Sequence, residues 1–201
     1  MNRRATILLV RHGETEWNRL RRYQGWGDSP LTAQGIAQAA AIGRLLSRLP
    51  EAEGADIVAS PLGRARHTAG IIAEHLSDRR SLSRSVRIDE RLREISLGSW
   101  DGLDKREIRR RAPELFAGEA GRWEWYFHTQ DGETYDAFAA RIAAFLADLG
   151  EAPVIAVAHG VVTRVLRGLY AGIPRGEALR LAVPQDRVFR LAGGAIEEIA
   201  A

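Results

Sequence analysis

Short runs rich in leucine and β-branched residues alternate along this chain with stretches whose apolar residues recur at helical spacing. That alternation limits the possible folds more than any other feature. Residues 5–10 have the length and composition of a buried strand, Asp56–Ala59 form a shorter one, and Val154–Ala158 the clearest later one. Between them, residues 31–49 predict a helix entered at Thr32 and stopped by Pro50. Ser60 as an N-cap and Pro61 at the first helical position open a second helix, with Leu62, Ala65, Ala69, Ile72, Ala73 and Leu76 as its buried stripe. Residues 77–85 read as a surface loop and 86–89 as a third strand. Thr134 opens another helix, burying Phe138, Ile142, Phe145, Leu146 and Leu149, and a further helix spans 160–170. Residues 179–183 and 188–191 read as shorter strands, the last an antiparallel edge. The order predicts an α/β fold, a three-layer αβα sandwich whose mainly parallel sheet is covered on both faces. Residues 1–201 are expected to form a single domain, with 91–133 as an excursion over the site, since that stretch lacks strand periodicity.

Composition narrows the function classes. A net charge of +3 with the two signs interspersed argues against a nucleic-acid surface, which would cluster its basic residues. The chain has no cysteine, hence no disulfide framework and no thiolate metal site, and a cytoplasmic setting is the default. Met1, Asn2, Arg3 and Arg4 before apolar residues imitate a signal peptide, but that apolar run stops at Arg11, so it is better read as the first core strand. No segment approaches the roughly eighteen apolar residues that span a bilayer.

The strand ends carry the chemistry. Arg11 and His12 follow the first strand, Arg64 sits in the first turn after the second, and His159 follows the fourth. Carboxyl ends of neighbouring parallel strands share one sheet edge, so these residues can converge on one small anion. Helices beginning near Pro61 and Gly160 can aim free N–H groups at the same point. An imidazole beside a guanidinium suits attack on a phosphoryl group, because the cation offsets charge that would repel the nucleophile.

Arg11-His12-Gly13-Glu14-Thr15-Glu16-Trp17-Asn18 is followed by Tyr23-Gln24-Gly25-Trp26 and by Ser60-Pro61-Leu62-Gly63-Arg64-Ala65. Later come Leu92-Arg93-Glu94-Ile95, Gly132-Glu133-Thr134 and Ala158-His159-Gly160. In these motifs and their order the chain resembles the histidine phosphatase superfamily, the phosphoglycerate mutase-like enzymes. The resemblance implies that His12 is the nucleophile and becomes a phosphohistidine. It implies that Arg11, Arg64 and a protonated His159 hold the phosphoryl oxygens, with Asn18 donating a further hydrogen bond, and that Glu94 is the general acid and base. Thr15, Gln24, Gly25 and Gly160 are candidates for the same phosphate-binding shell. His12 must be neutral at the attacking nitrogen, which requires its other nitrogen to donate to an acceptor such as a backbone carbonyl. The implied partner is a small phosphorylated substrate, and no metal or other cofactor is called for. Oligomeric state and natural substrate stay open.

Other residues compete for these roles. Glu90, Glu107, Glu114 and Glu133 are alternative acids, and Arg91 and Arg93 would lower the pKa of Glu94 if they pointed inward. His67 and His75 read as surface or partly packed. His128 and the aromatics 123–127 are read as core packing or a substrate mouth, and Arg109, Arg110 and Arg111 as a solvated helix face. The leading function is a phosphomonoesterase. Gln24 stands where the mutases have threonine, residues 94–102 look like the phosphatase form of the acid loop, and the excursion is shorter than in glycolytic mutases. A cofactor-dependent phosphoglycerate mutase and a non-catalytic phospho-ligand module are the alternatives, the latter disfavoured because binding needs neither nucleophile nor acid.

Overall fold

The computed structural model describes residues 5–77, 84–116 and 124–201. Strand β1 (Ile7–Arg11) leads into a one-turn helix α1 (Glu16–Arg19) and then α2 (Ala33–Leu46), followed by β2 (Asp56–Ala59), α3 (Gly63–Leu76) and β3 (Val86–Ile88). The excursion holds α4 (Lys105–Arg111) among single 3₁₀ turns, and α5 (Tyr135–Ala147) leads back to β4 (Val154–Ala158). Helices α6 (Gly160–Ala171) and α7 (Arg175–Ala178) precede the hairpin β5 (Arg187–Ala192) and β6 (Ala195–Ala200).

The sheet order is β3-β2-β4-β1-β5-β6. The first four strands pair in parallel, whereas β5 runs antiparallel to both β1 and β6. Alternation along the strands sorts the core into two layers. Ile7 and Leu9 pack with Phe138, Ile142 and Phe145 of α5 and with Val162, Val165 and Leu166 of α6. Leu8 and Val10 face the other way, onto Ile42 and Leu46 of α2 and Ala65, Ala69 and Ile72 of α3. This is the expected three-layer sandwich. The excursion contributes Leu92, Ile95, Leu97, Ile108, Trp125, Tyr126 and Phe127 to the first layer. None of the described helices is long and apolar enough to cross a membrane.

Several expectations shift by a few residues, for visible reasons. Thr32 caps α2 by accepting from Gly35 N, but the helix ends at Leu46 and Pro50 starts a separate 3₁₀ turn. Helix α3 begins at Gly63, with Leu62 at its N-cap and no capping side chain, because the Ser60 hydroxyl is engaged elsewhere. Residues 179–183 are not a strand. Leu179 closes α7, and the carbonyls of Leu181, Ala182 and Val183 accept from the side chains of Arg164, Arg167 and Arg11 instead of from a neighbouring strand. Strand β5 is antiparallel, as expected, but it is not the edge. Gly193 and Gly194, both at positive φ, turn the chain into β6, which covers it. The predicted loop falls mostly on residues 78–83, and Trp123 of the aromatic run on 117–123, outside the described residues.

Candidate active site

Register explains the convergence. Arg11 pairs with Ala158 and Ala59 with Val157, so His12 and His159 leave the sheet at one level and Ser60 one residue below them. The His12 and His159 rings lie 5.1 Å apart, centre to centre. Beside them is a cavity of about 250 Å³ lined by Arg11, His12, Asn18, Gln24, Gly25, Arg64, Glu94 and Gly160, among others. Thus residues from β1, α3, the excursion and α6 meet at one opening.

Nδ1 of His12 lies 2.8 Å from the Gly13 carbonyl oxygen, an acceptor only, so this nitrogen carries the proton and Nε2 is left with its lone pair. Burial, then Arg64 and Arg11, hold the His12 pKa well below its usual value, against a smaller opposing effect of the Gly13 carbonyl. The imidazole is therefore neutral. Arg11 donates to Val183 O at 2.6 Å, and burial lowers its pKa to about 10, which still leaves it cationic at neutral pH. Arg64 reaches the turn opposite, donating to Gly25 O (2.8 Å), Gly27 O (2.7 Å) and Asp28 Oδ1 (2.9 Å). Arg11 Nε, Arg64 Nε and His159 Nδ1 are buried polar atoms with no hydrogen-bond partner. Arg11 and Arg64 line the cavity, where an anion is a natural partner for such donors, whereas His159 lies behind the lining, against His12.

The surroundings of His159 favour the neutral ring over the expected imidazolium. Burial first, then Arg64, His12, Arg11 and Arg141, push its pKa well below the usual value. Ser60 resolves how a neutral His159 can still donate. Its Oγ accepts from Leu62 N (3.3 Å) and lies 2.7 Å from His159 Nε2, to which its O–H can donate. In that arrangement the proton of the neutral ring sits on Nδ1.

Asn18 presents an NH₂ group, since its Oδ1 accepts from Thr15 N (3.3 Å) and from Gln185 Nε2 (3.1 Å). Gln185 also donates to His12 O, tying β1's end to the loop before β5. Thr15 does not line the cavity. It is fully buried, capping α1 and accepting from Gln24 Nε2 at 2.8 Å. Gln24 lines the cavity but spends its amide on Thr15 and Ser29, shaping the turn rather than facing outward. Gly25 (φ +49°) gives its carbonyl to Arg64, and a Cβ there would fall 1.9 Å from Asp101 Oδ1. Asp101 in turn accepts from Trp26 N and Gly27 N.

Glu94 is fixed at both oxygens, by Ile95 N (3.0 Å) and by Val161 N (3.1 Å) at the start of α6. One helix N-terminus expected to meet the phosphate thus serves the carboxylate. Arg91 and Arg93 do not crowd it. Arg91 binds Asp89 and Asp148, and Arg93 pairs with Glu90 and lies 4.5 Å from the Trp26 ring. The rival acids are occupied or remote: Glu107 completes the cap of α4 and meets Arg22, Glu133 binds Arg141, and neither they nor Glu90 and Glu114 line the cavity. His67, His75 and His128 are exposed, as are Arg109, Arg110 and Arg111. Trp125 and Tyr126 belong both to the core and to the cavity wall.

A cleft with an unprotonated imidazole nitrogen, a buried and a half-buried guanidinium and a carboxylate describes an enzyme of phosphoryl chemistry. The chain belongs to the histidine phosphatase superfamily (branch 1), whose family model matches residues 7–193. It is 34% identical over 194 residues to "Probable phosphoglycerate mutase GpmB" of Salmonella paratyphi C, covering 92% of this chain and 83% of that protein. The α-ribazole phosphatase from Shigella flexneri superposes with a TM-score of 0.75 at 28% identity, covering 97% of this chain and 95% of that one. A mycobacterial glucosyl-3-phosphoglycerate phosphatase, Rv2419c, in complex with VO3, gives 0.71 at 30% identity, covering 98% and 97%.

Proposed function

We propose that this enzyme hydrolyses a small phosphomonoester through a phosphohistidine on His12. The observation that carries the reading is that His12, whose Nδ1 is already committed to a carbonyl, lines one cavity together with Arg11, Arg64, Asn18 and Glu94. In the first half-reaction, His12 Nε2 attacks phosphorus while the P–O bond to the alcohol breaks. Protonated Glu94 gives its proton to the departing oxygen. Arg11, Arg64, His159 and the Asn18 amide meet the charge spread over the phosphoryl oxygens. In the second, Glu94 as carboxylate takes a proton from water, the water oxygen bonds to phosphorus, and the P–N bond breaks to release phosphate and restore His12. Neither step uses a metal or other cofactor, so activity should survive EDTA.

The alcohol half of the substrate would lie against Tyr23, Trp125, Tyr126 and Val183, which also line the cavity. Glu94→Gln should lower kcat/KM far more for alkyl phosphates, whose alkoxide leaves poorly, than for p-nitrophenyl phosphate, which needs little protonation. Equal losses on both would remove Glu94 from the acid role. Phosphate release is then compared with interconversion of 3- and 2-phosphoglycerate, with and without 2,3-bisphosphoglycerate. Bisphosphoglycerate-dependent isomerisation with little hydrolysis would make the enzyme a mutase, and binding without turnover on a broad panel would make it a binding module.

A further inference from the structure

We infer that Arg141 is a positioning residue for Glu94, holding the backbone that carries the acid, with Glu133 as its counter-ion. The inference rests on the reading of Glu94 as proton donor. Arg141 lies on α5, behind the acid segment rather than in the cavity, and all five of its N–H donors are used. Nε and Nη2 form a two-point pair with Glu133 (2.7 and 2.8 Å). Nη1 donates to Arg91 O (2.6 Å) and Arg93 O (2.7 Å), and Nη2 also to Glu94 O (3.1 Å). The guanidinium additionally lies 4.5 Å from the Phe138 ring.

Residues 93–97 form neither helix nor strand, so their carbonyls have no ladder to accept from. Three carbonyls in four residues converge on one planar cation, while the side chains of Leu92 and Ile95 are sunk in the core. Trp26 Nε1 supplies a second donor to Glu94 O at 2.8 Å. The Glu94 main chain is thereby pinned from α5 and from the Gly25 turn, and its carboxylate from α6. Only a fork of fixed geometry can serve three carbonyls and a carboxylate together. A lysine has three donors on a single nitrogen and cannot. Glu133 keeps the fork oriented and neutralises it, so that the clamp adds little net charge beside the acid. Both side chains are mostly buried, 19% and 16% exposed.

The experiment measures kcat/KM, which reports steps through departure of the alcohol, for a series from p-nitrophenyl through phenyl to alkyl phosphates. The proteins are the wild type, Glu94→Gln, Arg141→Lys and the charge-neutral pair Arg141→Met with Glu133→Gln. A displacement of the acid by about 1 Å costs up to about 100-fold where protonation matters. The Arg141 variants should therefore lose about 10- to 100-fold on alkyl phosphates and less than about 3-fold on p-nitrophenyl phosphate. Adding Glu94→Gln to either should leave the slope against leaving-group pKa unchanged. If Glu94→Gln itself shows no leaving-group dependence, the acid assignment fails. If Glu94→Gln does but the Arg141 variants lose activity uniformly, keep it, or all fail to fold by circular dichroism, the clamp has no positioning role and the inference is overturned.

Discussion

Lowering the pH from 7.5 to 5.5 should cost the folded state up to about 3 kcal/mol through His12 and His159 alone. Both rings are almost fully buried, at 3% and 0% exposure, and burial is the leading cause of their lowered pKa values, with Arg64 next. In the unfolded chain each returns to about 6.5. Below that value the unfolded chain takes up protons that the folded one refuses. The stabilisation is therefore complete above pH 6.5 and falls as acidity passes through it, by about 1.4 kcal/mol per pH unit for each ring. One unit below 6.5 the two rings together lose up to about 3 kcal/mol, a large part of a typical total of 5–15 kcal/mol. Urea unfolding at pH 7.5, 6.5 and 5.5 measures it for the wild type, His12→Asn, His159→Asn and the double variant. Each single change should remove about half of this acid-dependent loss and the double change all of it, with the remaining ionisable groups common to every chain. A double variant whose stability falls between pH 7.5 and 5.5 as steeply as the wild type's would refute the reasoning.

Gly25→Ala should lower stability by about 1 kcal/mol or more, because an L-residue is strained at φ +49° and the new methyl meets Asp101. It should also weaken competitive inhibition by inorganic phosphate, since the Gly25 carbonyl orients Arg64; unchanged inhibition would detach this turn from the site. Ser60→Ala should leave His159 free to change tautomer, lowering kcat/KM about tenfold, and should cost about 1–3 kcal/mol of stability because the buried imidazole and Leu62 N lose their partner. Restoration of activity by Ser60→Thr, which keeps the hydroxyl, is the matching control.

Much of this architecture was legible because strand and helix periodicities differ and the parallel strands are mostly apolar, β4 wholly so. Arg11, His12 and Arg64 could be anticipated because they lie at element ends, Arg11 closing β1, His12 following it and Arg64 in the first turn of α3, whereas Glu94 rested on its motif alone. What stayed hidden depends on pairing between distant segments. Nothing in Ser60 alone says whether it caps a helix or holds an imidazole; the β2–β4 register decides it. Residues 179–183 look like a strand because apolar residues satisfy that pattern, but arginine side chains took their carbonyls. The Gly193-Gly194 turn was a readable hairpin signal, and with it β6 could have been found. Arg141 and Gln185 carry no local signature, for each acts on backbone or amide groups dozens of residues away or more.

On the proposed mechanism, phosphorus passes through Nε2 of His12. Rapid quenching into alkaline detergent during turnover, followed by peptide mapping with mass spectrometry, should find the phosphoryl group on the peptide bearing His12, at Nε2, and none in His12→Ala, which should also be inactive. Phosphate on a different side chain, or a His12→Ala protein that still turns over substrate, would contradict the account.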